Sequence, residues 1–223
     1  MSGMSTLIEN IVIAAPPVIF AITLHEAAHG YVARHFGDPT AWLAGRISLN
    51  PLRHIDPIGT LLVPALILAT SYLAAGSAML FGWAKPVPVD FGRLRHPKRE
   101  MLWVALAGPA VNLLMALVWT GLLKVLMLMP LMAYSRPLAE MSLTGTEVNL
   151  VLMVLNLLPL PPLDGGRVAV SLLPHPLAWK FAQLERWGFP ILLLLMFTGI
   201  LGDILGPLVG VLKNLIVILF QLN

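Results

Sequence analysis

Long uncharged runs alternate with short polar stretches along this chain, and the runs set the expected elements. The first apolar run extends from about Leu7 to Phe36, and no side chain from Asn10 to Leu24 carries a charge. Pro16 and Pro17 either kink this segment or mark where the helix proper begins. Gly37, Asp38 and Pro39 then end it, because glycine followed by Asp-Pro is a turn signal and proline restricts the residue before it. From Thr40 to Pro51 the polar residues Arg46, Ser48 and Asn50 alternate with Ile47 and Leu49, which predicts a short strand. After a polar turn over 51–57, Ile58 to Leu80 forms a second run of 23 residues without charge, long enough to span a bilayer. Phe81 to Asp90 holds Gly82, Pro86 and Pro88, so it is expected to be extended and able to pair with another strand. In lipid, such backbone must be buried in protein or line a cavity.

Arg93, Arg95, Lys98 and Arg99 follow, the densest positive cluster and an orientation signal. Met101 to Met129 is the third long run. Small residues at Ala107, Gly108 and Ala110 let helices approach there, and Asn112 could bond across to a neighbour. Pro130 to Glu147 reads as a loop. Val148 to Leu160 is a shorter apolar segment broken by Pro159, Pro161 and Pro162. Val168 to Trp187 carries Lys180, Glu185 and Arg186 at amphipathic spacing, suited to the membrane interface. Gly188 to Leu201 and Leu205 to Leu222 are the last two runs. The pattern predicts an all-α polytopic membrane protein with about six transmembrane segments and a small membrane-embedded extended or β element.

Composition agrees: 58% of the 223 residues are hydrophobic and only 11% charged, far from a soluble domain. Six spans of roughly 20 residues fill the length, so a single domain over 1–223 is expected, with no separate soluble module. The net charge of +3 comes from Lys and Arg placed mostly between apolar runs, which suits anionic headgroups and not nucleic acid. With no cysteine, any metal must take nitrogen and oxygen ligands. Met1 to Glu9 has no basic stretch, and the apolar run after it leads into polar residues instead of a small-residue cleavage site, unlike a removable signal peptide.

Those polar residues are His25, Glu26 and His29, a HEAAH sequence in an otherwise lipid-compatible segment. On a helix the i and i+4 positions share a face, so two imidazoles can meet one metal ion while Glu26 reaches the same cavity. Placing them beside such a run is costly unless they face a polar cavity. A catalytic zinc has three protein ligands and an open position. Asp164 is the one carboxylate in an apolar segment punctuated by proline and glycine, where membrane proteins build ion sites, and is the expected third ligand. Glu26 then serves as general base. His54, between Arg53 and Asp56, reads as a surface residue or one that supports a ligand from behind. An ion-coupled transporter or metal carrier would use a similar His/Asp site.

HEAAH, the AGPAVN stretch at 107–112 and, above all, Asn156 to Gly166 with Pro159, Pro161, Pro162 and Asp164 resemble the site-2 protease family of intramembrane zinc metalloproteases. The resemblance covers roughly residues 15–203, with the last apolar segment, 205–222, outside it. It implies one zinc ion held by His25, His29 and Asp164, Glu26 as base, and Asn156 holding substrate or transition state. The extended 81–90 element is then the one that pairs with an unwound substrate helix. The implied partners are a membrane-protein substrate with a transmembrane helix and the bilayer, in the plasma membrane of a prokaryote. The family also has PDZ- or CBS-bearing members, and no loop here is long enough for such a domain. A catalytically inactive binding relative is a further alternative.

Overall fold

The structure, a computed structural model, describes residues 3–67, 70, 82–129 and 135–222. Helix α1, Gly3–His35, runs through Pro16 and Pro17 without ending. It stops where predicted: Gly37 takes φ +108°, and the amide of Asp38 reaches back to the Ala33 carbonyl at 2.9 Å, closing the helix end through a left-handed residue. Asp38 is fully buried. One of its carboxylate oxygens takes the Thr40 amide at 2.9 Å and the other the Asp90 amide at 2.8 Å, which ties the helix end to a segment fifty residues later.

The expected strand over 40–51 does not form. Thr40–Leu43 is one helical turn, and the amides of Ala44 and Gly45 bond back into that turn. Beyond it, the Ser48 hydroxyl takes the Asn50 amide and the Asn50 side chain takes the Leu52 amide, at 3.1 and 3.0 Å. Polar side chains at alternate positions satisfied the local backbone, so no ladder was needed. Asp56 then caps Pro57–Leu62, a π-helical turn that continues to Ile67, by accepting from the Ile58 and Gly59 amides. Whether 58–80 spans or re-enters falls largely on residues outside those described.

The stretch from Gly82 to Asp90 is extended, as predicted, yet no strand pairs with it among the described residues. Its alternate amides are used one at a time: Trp83 to the Gly59 carbonyl at 3.0 Å, Lys85 to the His54 carbonyl at 2.9 Å, Val87 to the Glu26 carboxylate at 2.7 Å. It is a strap laid across the 54–59 turn and α1. Among the described residues, the place of the small β element is taken by extended backbone pinned by turns and side chains.

Helix α2, Pro97–Leu128, starts with its Glu100 carboxylate accepting the His96 amide and carries ten buried positions, including Gly108, Asn112, Ala116 and Trp119. It packs against α1, against α3 (Ser135–Leu157) and against α4 (Asp164–Leu172). Helix α3 corrects the predicted loop over 130–147, since the chain is helical from Ser135. Ser142, Thr146 and Asn149 each bond a carbonyl four residues back, so their polarity is absorbed within the helix. Thr146 also meets Thr120 of α2 at 3.0 Å. Helices α5 (His175–Ala182), α6 (Glu185–Phe197) and α7 (Ile200–Leu219) follow.

Four helices among the described residues are long and apolar enough to cross a membrane: Ile11–His35, Pro97–Leu128, Arg136–Leu157 and Ile200–Leu219. The described residues thus account for four of the expected six. The 148–160 run is the end of α3, and α6, with 13 residues, rises only about 20 Å against a core of about 30 Å. The chain is an all-helical membrane protein over its described residues.

Candidate metal centre

HEAAH lies within the last third of α1, so His25 and His29 sit one turn apart on the face turned to α2. Three residues of α2, spaced four apart and hence stacked on one face, receive them. The Val104 carbonyl accepts from His29 Nδ1 at 2.7 Å. The Asn112 Oδ1 accepts from His25 Nδ1. Between them stands Gly108, where a Cβ would lie 2.5 Å from both His25 Cε1 and His29 Nε2. Only a residue without a side chain leaves room for both rings.

With their Nδ1 protons committed to α2, both histidines turn Nε2 lone pairs inward. These nitrogens lie 3.1 Å apart. Asp164 Oδ2 lies 3.2 Å from His25 Nε2 and 3.4 Å from His29 Nε2. That carboxylate oxygen is buried and has no hydrogen-bond partner. Three electron-rich atoms facing one another without a proton between them repel unless a cation satisfies all three. A tetrahedral ion with bonds of about 2.0–2.1 Å needs ligand atoms about 3.3–3.4 Å apart, close to the observed triangle. The residues present fit a zinc ion, with the fourth position left for a non-protein ligand.

Asp164 reaches the histidines because α4 begins against its own preceding turn. A Cβ on Gly165 would come 2.3 Å from the Leu157 and Leu158 carbonyls, and one on Gly166 would come 2.3 Å from the Pro161 nitrogen. The two glycines thus do more than permit a turn: they let helix and turn touch backbone to backbone. Gly188 of α6 closes in from the other side, where a Cβ would overlap the Pro161 carbonyl.

A cavity of about 850 Å³ opens on this centre. His25, Glu26, His29, Asn156 and Asp164 all line it, together with strap residues Trp83, Ala84, Pro86 and Val87. Its walls are mostly apolar, from Val18, Ile22, Leu152, Leu155 and Leu192. Glu26 is outside the ligand triangle, held through its Oε2 by the Val87 amide at 2.7 Å. Asn156, half-buried, gives one amide hydrogen to the Leu152 carbonyl at 3.0 Å and touches none of the three ligating atoms. His54 also lines the cavity, but its Nε2 is engaged by the Ser48 carbonyl at 2.8 Å and it stands apart from the ligand group. An Arg167–Glu185 ion pair at 3.3 Å and an edge-on Trp83–Phe189 contact, centroids 5.1 Å apart, border the same space.

The "Putative zinc metalloprotease YwhC" of Bacillus subtilis is 40% identical over 208 residues, covering 92% of this chain and 89% of that protein. The chain belongs to the site-2 protease family of zinc metalloproteases. Other relatives of this metalloprotease carry matching names. The "Putative zinc metalloprotease Rip2" of Mycolicibacterium smegmatis is 31% identical over 189 residues, 82% of this chain and 66% of that protein. The "Putative zinc metalloprotease MJ0611" of Methanocaldococcus jannaschii is 28% identical over 176 residues, 78% of this chain and 74% of that protein. No family model and no solved structure matches the chain.

Zinc is thus the metal of this metalloprotease, and the His25, His29 and Asp164 group is where it fits. Sequence reasoning gathered those three and Glu26, but it treated Gly108 and Asn112 as helix packing and passed over Asn149. A signal existed. Asn112 interrupts a long apolar run one turn after Gly108, and a four-residue spacing puts both on the face that meets HEAAH.

Proposed function

We propose that this metalloprotease hydrolyses a peptide bond within or near a transmembrane segment of another membrane protein, in the plasma membrane of a prokaryote. The observation that carries the reading is the placement of Glu26 and a three-atom metal group on one cavity among helices long enough to span lipid. His25, His29 and Asp164 hold the metal. Bound there, zinc supplies a Lewis acid that lowers the pKa of water to about 7. Glu26 takes the proton from the attacking water and passes it to the leaving amine. The Val87 amide keeps the receiving carboxylate turned toward the cavity. Asn156, which lines the same cavity, supplies an amide that holds the substrate backbone or the charge developing on its carbonyl.

The substrate's scissile amide is shielded inside its own helix, so the helix must open before cleavage. Opened backbone in lipid needs new partners, and the strap from Gly82 to Asp90 is extended backbone lining the cavity where they are needed. The test is Glu26→Gln in purified protein with a reporter substrate bearing a transmembrane helix. Zinc content should stay at the wild-type level, while cleavage falls by about 10²–10⁴-fold, the usual worth of a general base. Ion flux in liposomes that survives Glu26→Gln, with no cleavage by wild type under any condition, would replace this reading with an ion carrier.

A further inference from the structure

Asn112 and Asn149 are both fully buried, at 0% exposure, on two different helices between the metal group and the core. Their hydrogen bonds run in one direction. Asn149 Nδ2 donates to the Gly145 carbonyl at 2.8 Å, and Asn112 Nδ2 donates to Asn149 Oδ1 at 3.0 Å and, at the longer distance of 3.5 Å, to the Ala21 carbonyl of α1. Asn112 Oδ1 then receives His25 Nδ1. The direction is set at one end, because a backbone carbonyl can only accept. Asn149 must therefore turn its NH2 to Gly145 and its oxygen to Asn112. Asn112 must turn its NH2 to Asn149 and its oxygen to His25. The imidazole is left with one choice: its proton sits on Nδ1 and its lone pair on Nε2, the atom aimed at Asp164 and His29.

We propose that Asn112 and Asn149 are a positioning pair for the metal site, an amide relay that fixes the tautomer and orientation of His25 from the backbone of α3. Asn149 touches no ligand and acts only through Asn112. Without it, the Asn112 NH2 keeps only the longer 3.5 Å contact with the Ala21 carbonyl, and the amide can turn to present that NH2 to His25, which selects the opposite tautomer and places a proton where the metal belongs. The relay uses neutral amides where a carboxylate would also serve. This gives a test that packing alone cannot imitate, since an aspartate at 112 has no donor end to present wrongly.

The inference rests on reading His25 as a zinc ligand, so His25→Ala is measured beside the relay variants. Zinc Kd is determined by chelator competition on the purified full-length protein, with the melting temperature of the zinc-free form as a folding control. Asn149→Leu and Asn112→Leu should each weaken zinc by roughly 10–100-fold, the usual effect of losing a partner behind a metal-binding histidine. Combining Asn112→Asp with Asn149→Leu should restore most of that affinity. Wild-type Kd in Asn149→Leu, or a double variant no better than Asn149→Leu, overturns the relay. Wild-type Kd in His25→Ala overturns the ligand reading itself. A zinc-free form of Asn149→Leu too unstable to purify shifts the test to Asn149→Ser, with the same comparison against its Asn112→Asp double variant.

Discussion

Replacing Gly108 with alanine puts a methyl group where two imidazoles already stand. The added Cβ would lie 2.5 Å from His25 Cε1, 2.5 Å from His29 Nε2 and 2.6 Å from His25 Nε2. Ordinary contacts between such atoms lie at about 3.5–4.0 Å, so the rings must retreat by about 1 Å. They cannot simply slide, because Val104 and Asn112 hold their outer nitrogens one turn to either side. A metal site tolerates only about 0.2 Å in its bond lengths, so at least one imidazole leaves the coordination shell. The helix itself gains, since alanine is favoured over glycine in a helix interior by about 0.8–1.0 kcal/mol. Gly108→Ala should therefore fold and lose zinc affinity by about 100-fold or more, beyond what loss of a supporting hydrogen bond alone brings. Gly121→Ala is the control on the same helix, because its Cβ would meet nothing nearer than Phe220 at 3.5 Å. Zinc stoichiometry and chelator competition read the outcome, with circular dichroism as the folding check. Wild-type zinc affinity in Gly108→Ala would refute the account of how α2 shapes the site.

Two further outcomes are expected. Asp164→Ala should lower zinc content while the purified protein keeps its helical spectrum, and unchanged metal occupancy would remove Asp164 from the ligand set. Val87→Pro deletes the amide that holds Glu26, a hydrogen bond to a charged group worth about 1.5–3 kcal/mol. Cleavage should fall about ten-fold or more with zinc binding nearly intact, and equal loss of both would make the strap scaffold only.

What was legible in the sequence was what is local. HEAAH places its residues by helical spacing alone, and the helix stop at Gly37 rests on three consecutive residues. Asp164 was accessible because a carboxylate in apolar surroundings has few tolerable explanations. What failed depended on partners distant in the chain. Ser142 and Thr146 looked like part of a polar loop because their carbonyl partners appear only once the helix has formed, and Thr146 further needs Thr120 across the interface. The alternation over 46–50 looked like a strand because periodicity does not reveal whether a ladder or a side chain takes the amides. Asn112 was visible, but the imidazole it serves is 87 positions away.

The stacking of Val104, Gly108 and Asn112 against His25 and His29 makes one helix interface serve also as the frame of the coordination sphere. Neither α1 nor α4 carries a complete site, and the shape that admits both rings belongs to α2. Metal capture and bundle assembly are therefore a single equilibrium, in which zinc favours the chain whose distant segments have already met. A nascent chain with α1 inserted and α4 still unplaced has two histidines and no enzyme. The protease is armed only by finishing its own fold.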